Sequence, residues 1–267
     1  MTIKRITEGA VAIILIDRPE KLNALDAEHL TELRGQLANA AADPAVRVII
    51  LSGGDGRAFC VGADLTAGRA DEVGPAEAIG LSLEESGQKG LYIRLFNLQS
   101  LQIHKPLIAS VNGLCLGGGL ELALQCDFII ASETASFGLP EVAVSSLPGG
   151  GGVPNLLKAI PRGVAMRMLL TGDRIDAHRA LALGLVTEIC PPADLPFRTF
   201  QAAGKIAENG PLAVQLVKML AVNSDDASTA QAFQMTELAW GLLRDTADRR
   251  EGRMAFAEKR KPLFVGR

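Results

Sequence analysis

Short apolar runs alternate with amphipathic stretches along the first half of the chain. Residues 10–17 (AVAIILID) are rich in β-branched side chains and predict a strand, and residues 46–51 predict a second, buried strand. Between these runs, Asp26 is placed to cap a helix that extends to about residue 42, with leucines recurring along one stripe. This strand–helix–strand order predicts a parallel sheet covered by helices.

Further short runs extend this pattern to residue 144. Residues 107–112 (LIASVN) predict a strand that leads into a glycine loop and then a helix to about residue 124. Residues 67–90 are rich in glycine, alanine and acidic residues and predict a partly helical, mobile excursion. The remaining runs predict a short apolar segment ending in a polar turn, a strand and a short extended region, at residues 59–64, 128–131 and 135–144 in that order.

From residue 161 onward the pattern changes to helices. Asp176 can cap a helix that ends near Gly184, and three further helices are predicted at residues 195–208, 212–222 and 227–249. Because no repeat or linker separates the two halves, the sequence predicts one folding unit with an α/β core and a helical C-terminal region. These helices are rich in leucine, alanine and methionine, so we expect a partner subunit to cover part of their surface.

Composition narrows the classes of protein that fit this pattern. The 267 residues are 48% hydrophobic and carry a formal net charge of −3 with no long basic run, which argues against a nucleic-acid binder. The N-terminus lacks the apolar core of a signal peptide, and the most apolar stretch, residues 106–124, is interrupted by Asn112 and Glu121. The four cysteines form no metal-binding or disulfide pattern. We therefore expect a cytoplasmic protein with no membrane span.

Residues 112–121 (NGLCLGGGLE) carry the first candidate for chemistry. Three consecutive glycines between a strand and a helix leave backbone N–H groups uncovered at a helix N-terminus, so this segment can hold an oxyanion. Glu121 follows inside the apolar helix. A dinucleotide fingerprint would need glycine at Leu122 and a Walker loop would need glycine at Leu157, so both nucleotide motifs fail.

Two further segments carry candidate residues for chemistry. In residues 59–64 (FCVGAD), Gly62 permits a sharp bend after which the Ala63 N–H can face a ligand. In residues 137–141 (FGLPE), Pro140 fixes the chain just before Glu141, which stands in an apolar neighbourhood. Burial raises the pKa of a glutamate toward the range that suits acid–base catalysis near neutral pH.

Together these segments resemble the crotonase family, the enoyl-CoA hydratases and isomerases, over essentially the whole chain. Residues 18–25 (RPEKLNAL) resemble the family's first CoA-contacting stretch, and FCVGAD and GLCLGGGLELALQCD resemble its two oxyanion segments. FGLPEVAVSSLPGGGG resembles its second carboxylate segment, and DRREG and AFAEKR resemble the C-terminal helix of hydratases. The resemblance implies an α/β crotonase fold. Residues 1–195 would form a ClpP-like spiral of ββα units with the CoA site, and residues 196–267 a helical trimerisation region.

The resemblance also implies roles for individual residues. The thioester oxygen would lie between the N–H groups of Ala63 and Gly118. Glu121 would act as base on the attacking water, and Glu141 would deliver the proton to Cα. The family forms homotrimers or hexamers and uses no metal and no separate cofactor, since CoA is part of the substrate. The implied contacts with the acyl-CoA substrate are Lys21, Leu22, Ala24, Ala63, Asp64, Leu65, Leu116, Gly117, Gly118 and Pro140.

Both glutamate positions are occupied, which favours hydration over isomerisation alone, so we expect an enoyl-CoA hydratase and leave two alternatives open. Those alternatives are an enoyl-CoA isomerase and a carnitinyl-CoA dehydratase-type enzyme, which the end of the chain also resembles. A non-catalytic crotonase-like binding protein, RNA binders included, is disfavoured by the acidic charge and the intact glutamate pair. Thr66 stands where some hydratases place a lysine near the CoA phosphates, so that contact would need another basic residue. Residues 152–156 (GVPNL) differ from close hydratases, and we expect Val153 and the glycine run at residues 149–152 to reshape the acyl pocket.

Overall fold

The computed structural model describes residues 2–66, 75–82, 85, 89 and 91–267. Its larger sheet has six strands in the order β1-β2-β3-β5-β7-β10. The β1–β2 pair is antiparallel, and the other pairs are parallel. These strands are β1 Ile3–Glu8, β2 Val11–Ile16, β3 Val48–Ser52, β5 Leu107–Val111, β7 Phe128–Ser132 and β10 Glu188–Cys190.

A second sheet of four strands has the order β4-β6-β8-β9, with only β9 antiparallel to its neighbour among these described strands. The strands are β4 Ala58–Cys60, β6 Leu114–Leu116, β8 Ser136–Gly138 and β9 Ile175–Asp176. Each of the strands β3, β5 and β7 is followed along the chain by a strand of the small sheet. A helix comes next in each case, so the chain winds as a spiral of ββα units. The predicted fold class is confirmed.

The helices of the described residues are numbered here in chain order. Their bounds are α1 Ala27–Ala42, α2 Pro75–Gly80, α3 Gly118–Ala123, α4 Gly152–Ala159, α5 Arg162–Thr171, α6 Ala177–Leu183, α7 Leu195–Ala207, α8 Pro211–Ser224, α9 Thr229–Arg244 and α10 Ala247–Glu258. No helix of the described residues is long and apolar enough to cross a membrane.

The main hydrophobic core lies between the two sheets. Leu51 and Val111 from the large sheet are fully buried in one cluster with Phe59 and Phe137 from the small sheet. Helix α1 adds its leucine stripe to the same cluster, as its periodicity predicts. The other face of the large sheet is covered by α7, where the Thr199 hydroxyl lies 3.1 Å from that of Ser110. The large sheet is thus buried on both faces, which explains its nearly continuous apolar strands.

Several predicted elements are confirmed. Strands form at the predicted residues 10–17, 46–51, 107–112 and 128–131, with ends that differ from the prediction by at most two residues. Asp26 caps α1 by accepting a hydrogen bond from the His29 N–H, and Asp176 caps α6 through the Arg179 N–H. The predicted excursion at residues 67–90 falls mostly on residues outside those described, apart from α2 and a few neighbours.

Other predictions are wrong in detail. Strand β1 was not predicted from the sequence. Part of the expected glycine loop, Leu114–Leu116, is strand β6. The predicted extended region at residues 135–144 is a strand only to Gly138, because the chain turns after Pro140 into the 3₁₀ helix Glu141–Val144. The change to a mainly helical pattern comes before residue 161, with α4, and the strands β9 and β10 lie among the later helices.

The helix predicted at residues 227–249 is two helices. The Thr246 side chain accepts a hydrogen bond from the Arg249 N–H and starts α10 there. The division of the chain at residue 195 stays a prediction, and α7, just beyond it, packs on the large sheet.

Candidate active site

The residues with predicted chemistry follow three neighbouring strands of the small sheet. Ala63 comes shortly after β4, Gly118 after β6 and Glu141 after β8. Because β4, β6 and β8 are parallel, their carboxyl ends meet at one edge of the sheet. The fold therefore brings three segments together that lie more than 20 residues apart in the sequence.

The turn from β6 into α3 requires glycines. Gly117 precedes the helix with φ of 53° and ψ of −131°, which an L side chain rarely adopts. A Cβ on Gly118 would lie 2.5 Å from the Phe96 ring, and a Cβ on Gly119 would lie 2.0 Å from the Cys60 carbonyl oxygen. The start of α3 is thus pressed against its surroundings, and the glycines allow that contact.

Two backbone N–H groups are available at the oxyanion site that the sequence predicts. Ala63 forms a parallel bridge with Leu25 that uses the Gly62 carbonyl and the Asp64 N–H, leaving the Ala63 N–H on the other side of the chain. Gly118 is the first residue of α3, so its N–H has no acceptor within the helix. A Cβ on Gly62 would lie 2.7 Å from the Gly118 nitrogen, so the two segments touch.

Glu121 is a buried carboxylate held by backbone donors. Its side chain is only 1% exposed, and its Oε1 accepts hydrogen bonds from the Gly150 N–H at 2.7 Å and the Gly152 N–H at 2.8 Å. Burial raises its pKa, and these two N–H groups oppose that rise by stabilising the ionised form. Glu121 is therefore a carboxylate that the protein solvates with its own backbone.

Glu141 has a different environment. Its Oε1 lies 3.2 Å from the position that a Cβ on Gly117 would take, so the carboxyl group lies against the glycine turn. Its buried Oε2 has no hydrogen-bond partner among the described residues. Burial raises the pKa of Glu141 to about 7, and the negative charge of Glu121 adds to that rise. Glu141 thus favours the protonated form more strongly than an ordinary glutamate.

The predicted CoA-contacting residues near the start of α1 form a polar network. Asp64 is buried and accepts a hydrogen bond from the Arg18 guanidinium at 3.0 Å. The hydrogen bonds that Asp64 accepts from Thr66 hold the pKa of the Asp64 carboxyl below its usual range, although burial opposes them. Lys21 Nζ donates to Thr66 Oγ1 at 2.8 Å, so an ammonium group lies beside the position where sequence analysis expected a lysine in some hydratases.

The other predicted contacts lie around this network and the glycine turn. Ala24 is buried, and its carbonyl accepts a hydrogen bond from Arg18. Leu116 is buried at the end of β6, whereas Leu65 is exposed on the surface. Leu22 adopts the left-handed backbone conformation, and Pro140 immediately precedes the 3₁₀ helix that carries Glu141.

Sequence analysis missed several residues that shape this site. Asn23 is fully buried, and its amide nitrogen donates to the carbonyls of Gly53, Ala58 and Phe59, which fixes residues 18–25 to β4 and to the turn that precedes it. The N–H donors to Glu121 come from the glycine run at residues 149–152, which sequence analysis interpreted as part of the acyl pocket. The glycine run was visible in the sequence, but only the fold shows that its N–H groups donate to Glu121. Among the described residues no cluster of His, Cys, Asp and Glu could hold a metal ion.

Comparison with known proteins places these features in a family. A family model described as enoyl-CoA hydratase/isomerase matches residues 6–267. The chain is 41% identical over 256 residues to the (E)-benzylidenesuccinyl-CoA hydratase of Thauera aromatica, covering 96% of both chains. It is 36% identical to the carnitinyl-CoA dehydratase of Proteus mirabilis, covering 98% of this chain and 97% of that one. The solved structure of an enoyl-CoA hydratase from Bacillus anthracis matches over 100% of both chains, with 35% identity and a TM-score of 0.89.

The contact between Gly62 and Gly118 predicts that Gly62→Ala destabilises the protein. Gly62 has φ of +93°, and an added Cβ would lie 2.7 Å from a backbone nitrogen that cannot move freely. We expect the free energy of unfolding to fall by about 1–3 kcal/mol, measured by urea denaturation. Gly35→Ala in α1, where a Cβ has open space, is the control and should raise it by about 0.5–1 kcal/mol. Equal effects of the two substitutions would contradict the described contact.

Proposed function

This chain belongs to the enoyl-CoA hydratase/isomerase family, and from that membership we propose that it is an enoyl-CoA hydratase, a hydro-lyase. The reaction is the reversible addition of water across the 2,3 double bond of an acyl-CoA thioester. The observation that carries the proposal is the pair of buried carboxylates beside two available backbone N–H groups. One carboxylate is solvated by backbone donors, and the other has an oxygen with no partner among the described residues.

The backbone donors would bind the thioester oxygen. As water adds to Cβ, electrons move toward that oxygen, which gains enolate character. The N–H groups of Ala63 and Gly118 then stabilise the transition state more than the neutral thioester, because hydrogen bonds to a charged oxygen are stronger. Each such donor contributes about 3 kcal/mol of barrier stabilisation in comparable oxyanion sites.

Glu121 is suited to act as the base. Its Oε1 is engaged with the Gly150 and Gly152 N–H groups, which keep the ionised form accessible despite burial. Its second oxygen accepts no hydrogen bond from a backbone N–H of the described residues and is free to accept a proton from a water. As that proton leaves, the water oxygen forms the new bond to Cβ.

Glu141 is suited to act as the acid. Its pKa of about 7 leaves a proton on the carboxyl group below neutral pH, and that proton can pass to Cα as the enolate collapses. In the overall reaction, one water molecule supplies the oxygen of one new C–O bond and balances the proton used in one new C–H bond. The proton gained by Glu121 then returns to Glu141, whose pKa the charge of Glu121 raises. The different environments of the two carboxyl groups thus suit Glu121 to act as the base and Glu141 to act as the acid.

The CoA part of the substrate would bind at the polar network around Arg18. The ammonium of Lys21 is partly exposed and lies against Thr66, where it can pair with a phosphate of CoA. Arg18 and Asp64 neutralise each other and hold the loops that flank this position. Lys21 therefore supplies the positive charge that Thr66 lacks.

The proposed enzyme is also a homo-oligomer, a trimer or a dimer of trimers. Apolar side chains with high exposure lie on the C-terminal helices, among them Phe233, Leu238, Leu242 and Phe256, with exposed fractions of 68%, 71%, 73% and 87%. A surface of this kind on α9 and α10 is typical of a subunit interface. The four cysteines, all free thiols, support the cytoplasmic location that we propose with it.

We expect the purified protein to hydrate crotonyl-CoA, measured as loss of the enoyl thioester absorbance. Glu121→Gln and Glu141→Gln should each lower kcat by about 10²- to 10⁴-fold, because each removes one proton-transfer group and preserves its shape. Glu133→Gln, at an exposed position, is the matched control and should leave kcat unchanged. Full activity in both site variants, or none in the wild type, would refute the proposed function.

The interface proposal makes a separate prediction. Light scattering after size exclusion should give the mass of three or six chains for the wild type. Leu242→Glu and Phe256→Glu should each shift the protein toward monomers, since each buries a charge in an apolar interface. Ile6→Glu on strand β1, which is also exposed, is the control and should keep the assembly. A monomeric wild type at micromolar concentration would contradict the proposal.

A further inference from the structure

The side chain of Gln125 joins three segments of the active site. Gln125 lies just after α3, and its Nε2 donates to the carbonyl oxygens of Glu121 at 2.8 Å and Phe96 at 2.9 Å. The Gly150 carbonyl lies 3.4 Å from the same nitrogen. Its Oε1 accepts a hydrogen bond from the Leu98 N–H at 2.7 Å. One amide thus connects α3, the segment around Phe96 at the end of the 3₁₀ helix Tyr92–Phe96, and the glycine run at residues 149–152.

The orientation of this amide is unambiguous. Every partner of Nε2 is a carbonyl oxygen, and the partner of Oε1 is an N–H group. Exchanging the two ends would set donors against donors and acceptors against acceptors. Gln125 is half-buried and therefore supplies partners to backbone groups at a position shielded from much of the solvent.

Each segment that Gln125 holds touches the proposed catalytic groups. The Phe96 ring packs so closely on Gly118 that a Cβ there would lie 2.5 Å from the ring. The Gly150 N–H donates to Glu121 Oε1. A Cβ on Gly150 would in turn lie 2.5 Å from Phe96 Cβ and 3.0 Å from Glu121 Oε2. A shift of the Phe96 segment or of the glycine run would therefore move a donor at the site.

We propose that Gln125 is a positioning residue for the hydration reaction. It fixes the glycine run against Glu121 and the Phe96 segment against the oxyanion donor Gly118. The inference rests on the proposed function for its kinetic consequences, although the geometry of the hydrogen bonds stands without it. Gln125 itself touches neither substrate nor reacting atoms. It acts through Gly150, whose N–H stabilises the ionised form of Glu121.

The ionisable surroundings of Glu121 make its titration a usable readout. Glu141 is the neighbouring carboxyl group that interacts with it electrostatically. The 3₁₀ helix Tyr92–Phe96 also carries the cation Arg94, and four other ionisable side chains on the elements packed around α3 have different partners or are kept neutral. Lys158 on α4 pairs with Asp225, Tyr92 donates to the Asp64 carbonyl, and burial raises the pKa of the Cys60 and Cys115 thiols.

The test compares Gln125→Met with Thr199→Val. Methionine keeps the length of the side chain and removes the amide, while Thr199→Val removes a buried hydrogen bond of α7 outside the site. With crotonyl-CoA, Gln125→Met should lower kcat by about 10- to 100-fold, since a displacement of about 1 Å in a site can cost 10²-fold. KM should change much less. The acidic limb of the pH profile of kcat should move up by about half a unit or more, because Glu121 loses a well-placed donor.

The control variant should lower thermal stability but leave the limb of the pH profile in place. Hydrogen exchange of the Gly150 and Gly152 amides should quicken about tenfold or more in Gln125→Met and stay unchanged in Thr199→Val. If Gln125→Met does not fold, Gln125→Glu replaces the donor with an acceptor at constant shape, and the same shifts are expected. An active wild type whose Gln125 variant matches Thr199→Val in all three readouts overturns the proposal. An inactive wild type refutes the hydratase function, and amide exchange alone then decides the positioning role.

Discussion

The site depends on one interaction, the pair of hydrogen bonds that the Gly150 and Gly152 N–H groups donate to Glu121 Oε1. An ionised carboxylate at 1% exposure has lost its water, and an uncompensated charge there would carry a large desolvation cost. The backbone replaces that water. The replacement requires a chain segment without side chains, because a Cβ on Gly150 or Gly152 would lie 3.0 Å from a carboxylate oxygen of Glu121.

The same constraint explains why the two glutamates differ. Glu141 lies near enough to be affected by the charge of Glu121, yet its Oε2 has no donor among the described residues, so its pKa rises to about 7. The parallel strands β4, β6 and β8 set this arrangement by ending at one edge. In the proposed reaction, backbone geometry places the oxyanion donors, and unequal hydrogen bonding divides the acid–base work.

Much of the fold and part of the candidate site could be predicted from local sequence. The β-branched run at residues 10–17, the Asp26 cap and the leucine stripe of α1 are signals within one element, and the structure confirms them. The order of the glycine, Pro140 and glutamate motifs also indicated one site. The interactions missed by sequence analysis join distant segments. The donors to Glu121 lie 29 and 31 residues away, and Asn23 bonds carbonyls 30 to 36 residues away. Such partners depend on how strands pair, which periodicity within an element does not encode.

In the mechanism proposed here, the two glutamates carry opposite charge states in the free enzyme. Infrared difference spectra between the wild type and each Glu→Gln variant test these charge states directly, at a pH just below the value of about 7 that applies to Glu141. We expect Glu141→Gln to remove a protonated carboxyl band and Glu121→Gln to remove an ionised carboxylate band. Loss of the protonated band in Glu121→Gln, with loss of the ionised band in Glu141→Gln, would contradict it.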